Sequence, residues 1–169
     1  VDLRNAFPTM DEEATRPEPI DEALERLVGC EHAVEAGTSL EGALQEFRRH
    51  GHGFMAVVRE GNYVGICSKA EVGVIFGSAY GYPIYSKRPV EQFIIRNGIA
   101  VTRNTPLARV LETVFSRDPE SFYDDIALVD EAGAFVGLIQ INTLVKLQHT
   151  MLTRKLKVVE TQEKRLREA

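Results

Sequence analysis

The chain states one pattern twice, and this repeat constrains its fold more than any other feature. Val34-Glu35-Ala36-Gly37-Thr38-Ser39-Leu40 returns 67 residues later as Val101-Thr102-Arg103-Asn104-Thr105-Pro106-Leu107. Tyr63-Val64-Gly65-Ile66-Cys67 returns 72 residues later as Phe135-Val136-Gly137-Leu138-Ile139. A unit of about 65 residues buries little core by itself, so the two copies must share one. A pseudo-symmetric pair offers a cleft between equivalent halves, which favours a binding module over an enzyme.

Each copy encodes the same element order. In the first, Leu40, Ala43, Leu44 and Phe47 fall on one helical face. Thr38 stands three residues before Glu41, the spacing of a capping box. In the second, Leu107, Val110, Leu111 and Val114 supply the matching stripe, with Thr105 at the cap and Pro106 at the first helical position. A hairpin follows in each: Phe54 to Val58, a turn at Glu60-Gly61-Asn62, then Tyr63 to Cys67; and Ile126 to Val129, a turn at Glu131-Ala132-Gly133, then Phe135 to Ile139. The second copy is about four residues longer before its hairpin, through Arg117-Asp118-Pro119-Glu120. Helices at Lys69 to Phe76 and Asn142 to Gln148 close the units. The fold class is α+β, with strand, helix, strand, strand, helix occurring twice.

This order, with a glycine opening G-φ-φ-S/T-x-x-D, resembles the CBS domain, named for cystathionine β-synthase, which occurs in tandem pairs. The first copy reads Gly65-Ile66-Cys67-Ser68-Lys69-Ala70-Glu71, with Glu for the usual Asp. The second reads Gly137-Leu138-Ile139-Gln140-Ile141-Asn142-Thr143, with Gln and Thr replacing both polar positions. The resemblance implies two βαββα repeats packed with pseudo-two-fold symmetry, one over 20–86 with the connector and one over 89–148. It also implies an adenosine-type ligand (AMP, ADP, ATP or S-adenosylmethionine) in the cleft, with the motif carboxylate on the ribose and the hydroxyl near phosphate. On this chain Glu71 would hold the ribose and Ser68 would face phosphate, while Thr143 offers only a neutral hydrogen bond. Ligand-free pairs that act as dimerising spacers are the competing reading, and Glu71 is equally explained as a favourable charge at a helix N-terminus.

The connector holds Tyr80, Tyr82 and Tyr85, whose rings either pack across the repeat interface or stack on a base; Lys87 and Arg88 after them are the basic candidates for a phosphate. The candidate ligand-binding set is therefore Thr38, His52, Ser68, Glu71, Tyr82, Lys87 and Arg88. No catalytic constellation is visible. His50 and His52 flank Gly51 and suggest half a metal site, but no carboxylate or cysteine stands at useful local spacing, and no metal ligand is assigned.

A net charge of −5 argues against nucleic acid as a partner. Residues 1–26 hold eight acids against three arginines, so 1–19 reads as an acidic, solvated arm. No apolar run is long enough for a membrane span, and Cys30 and Cys67 show no metal spacing, which suits reduced thiols in a cytoplasmic protein. From Asn142 to Ala169 there is neither Gly nor Pro, and Val145, Leu152, Val159 and Leu166 recur every seven residues. The 149–169 stretch is expected to continue as a coiled-coil helix, to support a homodimer with parallel tails, and to lead to a covalently linked output domain beyond Ala169.

Overall fold

The computed structural model describes residues 23–169, and in them the sequence repeat becomes a structural one. The expected acidic arm and the start of the first repeat at Ile20 lie outside the described residues. The first repeat runs β1 (Ala33–Glu35), α1 (Leu40–His50), β2 (Phe54–Arg59), β3 (Asn62–Ser68) and α2 (Lys69–Gly77). A short α3 (Gly81–Tyr85) sits in the connector, and β4 (Ala100–Thr102), α4 (Leu107–Phe115), β5 (Ile126–Val129), β6 (Phe135–Ile139) and α5 (Ile141–Glu168) follow. Each set of three strands forms one sheet, with the first strand parallel to the second and the second antiparallel to the third. Registers coincide: Ala33 faces Ala56 as Ala100 faces Ala127, and both hairpins carry an irregularity at the same place, Val57/Val58 and Leu128/Val129.

Period-two alternation sorts the side chains of β2 and β3 between two cores. Met55, Val57 and Cys67 pack with Leu40, Ala43 and Phe47 of α1 and Val72 of α2. Ala56 and Ile66 point the other way, against Ala127 and Leu138 of the second sheet. The strands are apolar on both faces because helices cover one and the partner repeat covers the other. Burial raises the Cys67 thiol to about 12, with Glu71 adding to the shift, and Cys30 is likewise buried and raised. Both cysteines are free and poorly nucleophilic.

The repeats also exchange their lead-in segments. Gly29 donates its N–H to Leu138 and Leu138 donates back to Cys30, at 2.9 and 2.7 Å, so the first lead-in joins the second sheet. In the mirror arrangement Ile95 donates to Ile66 at 2.8 Å. This exchange explains the motif glycine. A Cβ on Gly137 would stand 2.2 Å from Val28 Cγ1, and one on Gly65 would meet three Ile94 side-chain atoms at 2.8–2.9 Å. The hairpin turns meet as well, Tyr63 N–H on Gly133 O and Phe135 N–H on Gly61 O.

Both sheet-flanking helices start one residue later than their capping patterns suggest. Ser39, not Thr38, caps α1, its Oγ accepting from Gly42 N at 3.1 Å. Pro106 occupies the α4 cap position with no side-chain cap, and the Thr105 hydroxyl bonds Thr102 instead. The pair forms one unit, Glu22–Leu144, with Ile141 and Leu144 of α5 buried in it. The rest of α5, Val145–Ala169, belongs to a separate unit; it is helical to Glu168, as expected. Among the described residues no helix is long and apolar enough to cross a membrane.

Candidate functional site: a cleft at the start of the second helix

The motif places its polar residues where β3 turns into α2. Ser68, buried, caps the helix by accepting from Glu71 N at 3.4 Å, so its hydroxyl is oriented by the backbone. Glu71 lies exposed in the first turn, where the helix dipole favours its charge. It borders a cleft of about 400 Å³. One wall continues along α2 to Ile75; the second is the lead-in of the other repeat, Phe93 to Asn97. The exchanged lead-in runs there because Gly65 admits Ile94 against β3.

The third wall comes from the insertion that lengthens the second repeat, with Glu120, Ser121 and Asp124 on the cleft. Arg117 holds this segment in shape, donating to the carbonyl oxygens of Phe122 and Asp124 at 2.9 Å each and of Val114 at 3.3 Å. Its Nη1 is buried without a partner among the described residues, and burial lowers its pKa. Burial raises Asp124, with Arg117 opposing the shift. Asp125 is pushed up to about 6, by burial first and by Asp124 second. Three carboxyl groups (Glu71, Glu120, Asp124) against one guanidinium (Arg96) therefore line the cleft.

Of the seven expected ligand residues, only Glu71 borders this cleft. Thr38, Tyr82 and Arg88 belong to the docking of the connector on the start of α1, and Lys87 lies exposed between Ser86 and Arg88. There the N–H groups of Leu40 and Glu41 donate to the carbonyls of Arg88 and Ser86, and Val90 N–H donates to Thr38 O at 2.7 Å. Tyr82 donates its hydroxyl to Glu41 at 2.6 Å, and the Arg88 guanidinium lies 4.9 Å above the Tyr85 ring. The expected packing of all three tyrosines across the interface needs correction. Tyr85 meets Phe93 edge-on at 5.7 Å, but Tyr80 and Tyr82 are 75% and 48% exposed. His52 lines a separate small pocket beside Cys30, His32 and His50. In the second motif, the Gln140 side chain lies against Gly29, 3.6 Å from the place of a Cβ.

Arg96, Asn97, Glu120, Ser121 and Asp124 are absent from the expected set. The insertion was visible in the sequence as a length difference, but its destination was not. The lead-in residues carried no signal, since their place depends on the exchange.

A family model for the CBS domain matches residues 7–72. The chain is similar in structure to a CBS domain-containing protein of unknown function from Bacillus anthracis str. Ames Ancestor, with a TM-score of 0.63 and 20% identity over 77% of this chain and 94% of that one. It is similar to CBSX2 in complex with AMP, with a TM-score of 0.59 and 15% identity over 76% of this chain and 97% of that one. The CBS domain pair of MJ0100, in complex with 5′-methylthioadenosine and S-adenosyl-L-methionine, gives a TM-score of 0.57 and 16% identity over 77% and 98%. At these identities the likeness is one of fold. No curated protein matches the chain in sequence.

Proposed function

We propose that this chain is a tandem CBS-domain pair and a regulatory module that senses an adenosine compound in the cleft beside Glu71. The observation that supports this reading most is the meeting of Glu71 with the exchanged lead-in of the other repeat. A ligand there would touch both halves at once, so its affinity would depend on how they are arranged, the requirement for passing on a bias. Glu71 would accept from both ribose hydroxyls.

The charge of the cleft selects among adenosine compounds. Three carboxyl groups against Arg96 disfavour a triphosphate by like-charge repulsion and favour a neutral or cationic group. We rank S-adenosylmethionine first, AMP next and ATP last. α5 would carry the bias to a linked output domain.

Thermal unfolding with AMP, ADP, ATP and S-adenosylmethionine tests the reading. A ligand at 100 times its dissociation constant stabilises the fold by about 2.7 kcal/mol. A shift with S-adenosylmethionine that exceeds the ATP shift is expected; the reverse order would remove the charge argument. No shift with any of the four would favour the second reading, a ligand-free dimerisation scaffold. That reading draws on the apolar side chains exposed along α5, among them Leu152 and Leu156.

A further inference from the structure

Away from the cleft, three side chains converge where the sequence offered only a pair of histidines around a glycine. Glu46 and His50 stand one turn apart on α1, and His32 comes from the lead-in just before β1. His32 Nε2 and His50 Nε2 lie 3.0 and 3.3 Å from the same oxygen, Glu46 Oε2. Their rings stack with centroids 3.7 Å apart and 27° between planes. Arg49 binds the other oxygen, Oε1, at 3.2 Å and so orients the carboxylate. The expectation that no carboxylate stands at useful spacing is corrected here: Glu46 is four residues before His50. His52 and Cys30 border the same small pocket but do not belong to the triangle of donors.

We propose that His32, Glu46 and His50 form a site for a divalent transition metal of the zinc class. All three donor atoms lie within 4.8 Å of one another. Zinc–nitrogen bonds of about 2.0–2.1 Å set donor–donor edges of about 3.3–3.4 Å in a tetrahedron, close to the two contacts observed. Two imidazoles and one carboxylate suit zinc over magnesium or calcium, which take oxygen ligands. The side chains are 28%, 23% and 37% exposed, so an ion reaches them from solvent. The ion would tie His32 to α1. Because Gly29 and Cys30 of the same lead-in are bonded to Leu138 of the other repeat, it would also fasten the exchange.

The test uses the full 169-residue chain, freed of metal and titrated with zinc chloride against a chromophoric chelator. One equivalent should bind and raise the melting temperature, while magnesium chloride at the same concentration does neither. His50→Ala and Glu46→Gln should each weaken zinc about 100-fold, one ligand's share of a typical site. His52→Ala should bind normally. Glu46→Gln preserves the shape and one acceptor oxygen but puts an amide NH2, a donor, in place of the other; a zinc loss with an unchanged metal-free melting curve is therefore loss of a ligand and not of the fold. Failure of the wild-type chain to bind an equivalent, or full binding by Glu46→Gln and His50→Ala, would leave a hydrogen-bonded cluster and overturn the proposal. Loss of zinc in His52→Ala would overturn the ligand set.

Discussion

Two carboxyl groups of the second repeat respond to acid in opposite senses. Asp125 is 7% exposed, and its pKa near 6 lies above that of an unfolded Asp, so between about pH 6 and 4 the folded chain binds more protons than the unfolded one. Its contribution to stability therefore rises as pH falls through that window. Glu131 is the reverse: hydrogen bonds from Arg103 hold it near 2, aided by Asn104, so its contribution is lost as pH falls below about 4.5. Asp125→Asn should stabilise the fold at pH 7 by about 1–2 kcal/mol, after discounting the shift for residual solvent screening. The gain should vanish by pH 4, as read from urea midpoints. An equal gain at both pH values would mean that the carboxyl does not titrate in this window. Glu71 sets a second residue-scale prediction. Glu71→Ala should weaken an adenosine ligand by about 1–3 kcal/mol and Thr143→Ala much less, measured by calorimetry; equal losses would end the argument for an asymmetric pair of sites.

At the scale of elements, the motif glycine was legible in the sequence, while its purpose was not. Hydrophobic periodicity tells which positions are buried, not which sheet they join, so Val28 and Ile94 gave no sign that they cross to the other repeat. The helix stripes, hairpins and turns were legible because each is a local pattern. The caps were off by one residue since Thr38 and Ser39 both suit the position, and Ser39 takes it. The exchange makes a direct prediction. Gly137→Ala should destabilise the fold by about 1–3 kcal/mol, the usual cost of overpacking, because its Cβ would overlap Val28. Val28→Ala should return part of that loss when combined with it. Additive losses in a double-mutant cycle would show that the two residues do not collide.

For the whole molecule, the paired repeats followed from the sequence because neither copy could bury a core alone. The cleft followed only in part: Glu71 was found by its motif, whereas Arg96 and Asp124 arrive through long-range packing. Assembly rests on α5. Val145, Leu152, Val159 and Leu166 are 42%, 51%, 50% and 78% exposed, a single apolar row with Leu156 beside it. The positions that would complete a seam, Gln148, Lys155 and Gln162, are polar, so two such helices should pair weakly. At 1.5 Å per residue α5 is about 42 Å long, room for four heptads. We expect a homodimer in which the paired repeats supply most of the contact and α5 runs parallel to its copy. Light scattering should report a dimer at tens of micromolar, and truncation after Leu147 should weaken the dimer without abolishing it; a monomer at that concentration would refute the assembly. Direction can be read separately. Leu166→Cys places a thiol near the end of α5, while Cys30 and Cys67 are buried and so stay out of the oxidation. Parallel helices should give a disulfide-linked dimer under mild oxidation. A dimer that does not cross-link at this position would preserve the assembly but leave α5 unable to drive two identical outputs side by side.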